Sequence, residues 1–332
     1  MRVSDRRLPL AALALSAMAA VALPGLAAAQ PGNFPVKPLR LVVPNAPGSS
    51  NDVLSRIVAN RLSETFGQQI LVDNRAGAGG VLGVEIAARA APDGYTLMAA
   101  SSATHSIAPF VYKKLPYDPV KDFAPVSLFV LTQNLLAVNP ALPAKSVADL
   151  IALAKAKPGQ LNMASAGTSS TSHIAGALFA SVAGIDVVHV PYKGAGPSIT
   201  SVVAGESQFV FTPIAGPLGQ VRGGKLRALA VGGRERSAML PEVPTVAESG
   251  LPGYVFTGWN GVMAPAGTPR PVVDRLFEAM TRVLGSAELR EQFAQQGAEP
   301  TVSKSPEAFG RHVRDEIARY GKLVKAAGIQ PE

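Results

Sequence analysis

The sequence predicts an α/β protein of two doubly wound lobes joined by two crossover segments. Three observations carry this. A short apolar run, a loop of Gly and small hydroxyl or amide residues, and then a helical pattern occur twice, at Leu41–Asp52 and at Leu161–His173. The first of them opens a strand–helix–strand–helix–strand order, which calls for a parallel sheet with helices on both faces. Two later apolar stretches, Val126–Val138 and Trp259–Met263, stand where a chain that leaves one lobe, builds another and returns would cross. Length agrees, because 332 residues exceed one ordinary core and suit two.

The elements follow in order. Arg2, Arg6 and Arg7 precede an almost wholly apolar run from Leu8 to Leu26, and Ala27-Ala28-Ala29 fits the small-residue cleavage rule. Residues 1–29 therefore read as a signal peptide cleaved after Ala29, with Gln30 the first mature residue. Arg6-Arg7 hints at twin-arginine export, although Asp5 and Pro9 fit that pattern poorly. Leu39–Val43 is a buried first strand. Val53, Leu54, Ile57, Val58, Leu62 and Phe66 recur at helical spacing, and Gly67 ends that helix. Ile70–Asp73 is the second strand, Val81–Ala90 a helix and Tyr95–Ala99 the third strand, entered through the turn at Pro92-Asp-Gly94. Val126–Val138 is long for one strand and suits a crossing between lobes. Ser146 caps a helix to Lys155. Val187–Val190, Gln208–Phe211 and Leu226–Val231 are strands, Trp259–Met263 re-enters the first lobe, and Pro271–Leu284 and Pro306–Ala327 are helices. The expected division is 31–133 with 257–332 for lobe 1 and 134–256 for lobe 2. The hinges are expected near Gln133–Val138 and Tyr254–Gly261.

Composition narrows the function. Hydrophobic residues make up 47% and charged ones 16%, a globular balance. Cysteine is absent, which excludes disulfides, thiol nucleophiles and Cys-ligated metals. His105, His173, His189 and His312 form no ligand pair at helical or hairpin spacing, so no metal and no cofactor is expected. The formal charge is +8, or about +6 once three leader arginines and one aspartate are removed. That surplus steers anions mildly, while the lack of Lys/Arg runs interleaved with aromatics disfavours nucleic acid.

The two glycine- and hydroxyl-rich loops are the candidate site. A loop at a helix start presents backbone N–H groups and the positive end of the helix dipole. In the first, Asn45, Gly48, Ser49, Ser50, Asn51 and Asp52 are the candidates, with Ser50 or Asn51 the expected N-cap. In the second they are Ser165, Gly167, Thr168, Ser169, Ser172 and His173, where the hydroxyls exceed what one cap needs. Ser102, Thr104 and His105 end the third strand at the same sheet edge, the usual ligand side of open α/β sheets. Tyr192-Lys-Gly-Ala-Gly-Pro-Ser198 opens one more helix, and Tyr192 and Lys193 there hold the matching place in the second lobe. Gly77-Ala-Gly-Gly-Val-Leu-Gly83 is not a dinucleotide fingerprint, because Leu82 stands where glycine is needed, and reads as a tight turn. No nucleophile elbow or carboxylate pair is present, which disfavours a periplasmic enzyme.

Several segments together resemble one family. They are Pro35–Pro44, Asp73-Asn-Arg-Ala-Gly-Ala-Gly-Gly80, Ala91-Pro-Asp-Gly-Tyr-Thr-Leu97, Leu115–Val126, Val188-His-Val-Pro-Tyr-Lys-Gly194, Gly224–Ala230 and Ala264-Pro-Ala-Gly-Thr-Pro269. In this order they resemble the periplasmic solute-binding proteins of tripartite tricarboxylate transporters, the Bordetella uptake gene type. The resemblance implies a type II periplasmic-binding-protein fold that closes on a small carboxylate held by backbone amides of the two loops. It implies a monomer in the periplasm that hands its ligand to integral membrane transporter subunits; a sensor presenting the ligand to a receptor is the alternative. Two departures stand out. The first loop reads Pro47-Gly-Ser-Ser-Asn-Asp52, and Thr212 replaces an acid common in the family. The latter favours a mono- or dicarboxylate over an amino acid.

Overall fold

Four buried apolar residues, with the partly buried Arg40 among them, make β1 (Leu39–Val43), the centre of the first half of the molecule. In this computed structural model, residues 34–331 are described, apart from Ser169 and Gly297; the expected leader lies outside them. The chain continues through α1 (Ser50–Phe66), β2 (Ile70–Asn74), α2 (Val81–Ala88) and β3 (Thr96–Ser101). Both β2 and β3 run parallel to β1, as the strand–helix order requires. Gly67, at φ 62°, takes the left-handed position that ends α1. The glycine-rich segment before α2 is a tight turn, with Gly77, Gly79 and Gly80 all at positive φ. Gly83 lets α2 press onto the end of β1: a Cβ there would lie 2.7 Å from the Arg75 carbonyl oxygen and 2.8 Å from Pro44 Cα.

After β3 the chain makes a wide helical turn of π type, Ser102–Ile107, and the short α3 (Ala108–Val111). It then enters β4 (Phe123–Val138), a strand of 16 residues. The second half comprises α4 (Val147–Ala156), β5 (Asn162–Ser165), α5 (Thr171–Ala183), β6 (Val188–Pro191), α6 (Ala195–Ala204), β7 (Phe209–Pro213), α7 (Leu218–Arg222) and β8 (Arg227–Val231). The return is made by β9 (Thr257–Pro265), followed by α8 (Arg270–Leu284), α9 (Ala287–Gln295), β10 (Glu299–Pro300) and α10 (Pro306–Ala326).

The sheet is mixed. Its order is β2-β1-β3-β9-β4 in the first half and β4-β7-β5-β6 in the second, with β8 and β10 also on β4. Because β9 comes back from the second half, it runs antiparallel to both β3 and β4. Along β4 the partner changes at one place: Gln133 faces Thr257 of β9, and Asn134 faces Pro213 of β7. There the Gly232 N–H donates to the Asn134 carbonyl at 2.7 Å, and the Phe256 N–H donates to the Gly232 carbonyl at 2.7 Å. Both chain crossings are thus tied together by main-chain hydrogen bonds.

Each half has its own core. Leu41, Val43, Leu54, Val58, Phe129, Leu276 and Phe293 belong to the first, and Leu136, Met163, Phe179, Phe209, Phe211 and Phe256 to the second. Helix α10 bridges them, although sequence placed 257–332 wholly in lobe 1. Its Phe309 and Val313 pack with Trp259 of β9, whereas Tyr320 and Val324 join the second core. Tyr320 donates to the Thr257 carbonyl at 2.6 Å, and Ser181 of α5 donates to the Ala326 carbonyl at 2.7 Å.

Gly83→Ala should destabilise the protein by about 1–3 kcal/mol, because the atoms a Cβ meets are rigid backbone. Denaturant unfolding measures this.

Candidate functional site

The first loop is built around Asp52. Its carboxylate accepts from the Gly48 N–H at 2.8 Å and from Asn74 Nδ2 at 2.8 Å, and pairs with Arg56 Nε at 3.0 Å. Burial alone would raise its pKa, but the hydrogen bonds from Arg56, Gly48 and Asn74 hold it below the usual carboxylate range. Asn51 donates to Asn45 Oδ1 at 2.9 Å and to the Ala99 carbonyl at 3.3 Å, fixing the loop to the end of β3. The cap is Ser49, whose Oγ accepts from the Asp52 N–H at 3.2 Å, and not Ser50 or Asn51 as expected. Asp52, only 2% exposed, and the side chains of Asn45 and Asn51 therefore hold the loop. The first-turn N–H groups of Ser50 and Asn51 take no acceptor among the described residues.

The second loop uses its hydroxyls internally. Ser165 Oγ lies 2.6 Å from His189 Nε2 and accepts from the Gly167 N–H at 3.2 Å. Ser172 Oγ accepts from the Ala166 N–H at 2.8 Å, and Ser170 donates to the Gly167 carbonyl at 2.6 Å while capping His173. The surplus of hydroxyls noticed in the sequence is thus explained by loop architecture. Thr168 is exposed, and Ser169 lies outside the described residues. The His173 ring stacks on that of His189, with centroids 3.9 Å apart and planes within 7°. Burial, reinforced by His189, pushes His173 down to about 4.

Ser102, Thr104 and His105 are a correction to the expected set, since all three lie in the core. Ser101 and Thr104 cap the wide turn reciprocally, and Thr104 Oγ1 lies 2.9 Å from His105 Nδ1. His105 is 0% exposed among Tyr117, Phe123 and Trp259, and burial pushes its pKa to about 3. Ser102 accepts from the Trp259 N–H at 3.4 Å. The wide turn rotates these side chains inward, which a strand-end rule does not anticipate.

Between the halves runs a cleft of about 440 Å³. The first half contributes Ala46–Ser50, Val53 and Leu54; the second contributes Lys193–Pro197, Ile199, Thr212, Pro213, Ala215 and Gly216. Of the expected residues, Gly48, Ser49, Ser50, Lys193 and Thr212 line it. No described residue of 165–173 does so, and Tyr192 packs against the second half with its hydroxyl 3.3 Å from Ser207 Oγ. The start of α6 falls where the sequence opens a helix, within Tyr192–Ser198, and it brings a second helix end to the cleft. Gly194, at φ 118°, precedes it with no side-chain cap, leaving the Ala195 and Gly196 N–H groups without an acceptor among the described residues. The signal for it was Gly194-Ala-Gly-Pro197, a glycine entry with a proline in the first turn. Lys193 is exposed and has no carboxylate partner among the described residues. Thr212 is 1% exposed, and its Oγ1 has no hydrogen-bond partner among the described residues. Among the described residues no group of acidic or imidazole side chains could hold a metal, and no helix is long and apolar enough to cross a membrane.

A cleft between two α/β halves, with helix starts opening on it from each, defines a solute-binding architecture. Residues 54–329 match the tripartite tricarboxylate transporter family receptors, and the chain belongs to that family. Three solved structures are similar over nearly their whole lengths. An R. palustris protein solved with adipate is 37% identical, with a TM-score of 0.86 over 90% of this chain and 100% of that one. The periplasmic binding protein BugD is 31% identical, with a TM-score of 0.82 over 90% and 100% of the two chains. MatC from Rhodopseudomonas palustris, solved with malate, is 34% identical, with a TM-score of 0.81 over 88% and 100%. The fold is that of the periplasmic binding proteins, as the resemblance implied.

Asp52→Ala should cost about 2–3 kcal/mol in denaturant unfolding, because Gly48, Asn74 and Arg56 lose one shared acceptor. Acid should destabilise the fold well before carboxylates titrate. Burial lowers all four histidines below 6.5. The unfolded chain therefore takes up protons first as pH falls. Stability is full above about pH 6.5 and is lost towards about 4 for His173 and about 3 for His105. Each histidine contributes at most about 1.4 kcal/mol per pH unit. Thermal midpoints measured from pH 7.5 to 4.5 should fall, and His105→Phe should make the fall shallower.

Proposed function

We propose that this chain is an exported solute-binding protein that captures a small organic carboxylate between its halves and delivers it to the membrane subunits of a tripartite tricarboxylate-type transporter. The observation that carries this is the pairing of two helix starts, α1 and α6, on one cleft. Three N–H groups, on Ser50, Ala195 and Gly196, are left open there, with Lys193 beside them. Backbone N–H groups at helix starts bind anions through hydrogen bonds and the dipole together. No acidic side chain stands among the described residues lining the cleft, so a ligand ammonium finds no partner. A mono- or dicarboxylate is therefore favoured over an amino acid. Adipate and malate in two relatives are consistent with that class.

The proposed cycle is hinge closure. A ligand touching both halves binds the closed arrangement better than the open one and shifts the population towards it. The crossing at Asn134, Gly232 and Phe256 is the proposed hinge. Gln133 Oε1 and Asn134 Nδ2 are buried there without hydrogen-bond partners, so no side-chain bond of theirs opposes movement. The basic, apolar leader to Ala29 supports export to the periplasm. No catalytic step is assigned: the described lining offers neither a nucleophile–base pair nor paired carboxylates.

Calorimetric titration of the purified exported protein with small mono- and dicarboxylates tests this. Micromolar or tighter binding of at least one, with the compound recovered unchanged, is expected. Ser50→Trp, which covers the α1 start, should weaken it by about a hundredfold with the ligand-free melting point kept. Thr168→Trp in parallel shows whether the second loop also closes on the ligand, which the family resemblance implies.

A further inference from the structure

We propose that the ligand is a dicarboxylate with an unsubstituted hydrocarbon spacer, one carboxylate on the α1 start and the other on a second subsite formed by Lys193, the start of α6 and the Thr212 hydroxyl. This rests on the carboxylate-binding function above and names which carboxylates the cleft takes.

The polar groups of the cleft fall into two sets, one on each half. On the first half are Ser49, Ser50 and the open N–H groups of α1. On the second are Lys193, the open N–H groups of Ala195 and Gly196, and Thr212. Thr212 is the independent pointer to a ligand. It is 1% exposed, lines the cleft, and its Oγ1 meets no partner among the described residues. A buried hydroxyl left unpaired is unfavourable, and a carboxylate oxygen would accept from it. Lys193 adds the only charged side chain among the described lining residues, with no carboxylate of the protein to neutralise it.

The remaining walls are apolar. Val53 and Leu54 come from α1, Pro197 and Ile199 from α6, and Pro213 from the end of β7. Prolines 197 and 213 have no N–H to offer. Gln296 is the other polar side chain, and it is exposed. A methylene chain against these walls leaves water favourably, whereas a hydroxyl or ammonium on that chain would lose its hydration without a partner. With anion-binding groups on opposite halves, two carboxylates joined by a spacer bridge the cleft better than one. Malate-like hydroxy acids and amino acids are disfavoured for the same reason.

The test is calorimetry with three probes that differ by one feature each: adipate, its mono-hydroxylated analogue, and hexanoate, which lacks the second carboxylate. Adipate should bind roughly ten- to a hundredfold more tightly than either. Lys193→Met should weaken adipate by about tenfold or more and hexanoate by a smaller factor. Circular dichroism and the ligand-free melting point of the variant should match those of the parent. Equal or tighter binding of the hydroxylated analogue, or of malate, would overturn the apolar spacer. Adipate binding untouched by Lys193→Met, or equalled by hexanoate, would overturn the second subsite. Failure of every carboxylate, malate and citrate included, would instead remove the carboxylate-binding function itself.

Discussion

One strand belongs to both halves of this molecule. The first part of β4 pairs with β9 and its last part with β7 and β8, so a single run of backbone fixes the register of two half-sheets. The partner change between Gln133 and Asn134 is also where Gly232 and Phe256 are bonded across. Every element that lines the cleft hangs from this crossing. The α1 loop follows β1, three places from β4, and Thr212 sits on β7, the immediate neighbour of β4. In the proposed closure, a small rotation about the crossing would change the gap between the helix starts.

The loops themselves are rigid polar structures. Asp52 collects three donors, and Ser165, Ser170 and Ser172 close the second loop on its own backbone. A loop held this way keeps its conformation when a ligand arrives, which reduces the ordering entropy that binding must overcome. The side chains do the holding, and at the start of α1 the N–H groups of Ser50 and Asn51 take no acceptor among the described residues. That division explains why residue types that look like ligand contacts in the sequence are buried, while glycine and alanine positions line the opening.

Much of this was legible in the sequence because it depends on local chemistry. Leu39–Val43, the glycine that ends α1, the cap at Ser146 and the two glycine- and hydroxyl-rich loops all follow from patterns within a few residues. The length of Val126–Val138 even betrayed the crossing. What escaped depends on contacts distant in sequence. Nothing local says that β9 returns antiparallel between β3 and β4, or that α10 runs from Phe309 in one half to Tyr320 in the other. The wide turn at 102–107 was invisible for the same reason, so His105 was expected at an opening and lies among aromatic rings. By contrast, the opening of α6 within Tyr192–Ser198 was legible, because a glycine entry with Pro197 in the first turn is a local signal.

The four histidines carry a consequence for charge. Burial lowers the pKa of each, to about 4 for His173 and about 3 for His105. Those two rings therefore stay neutral in the folded protein where an exposed imidazole would gain a proton. Mild acidification adds positive charge at these positions to the unfolded chain and not to the folded one, so its effect there falls on the lifetime of the fold.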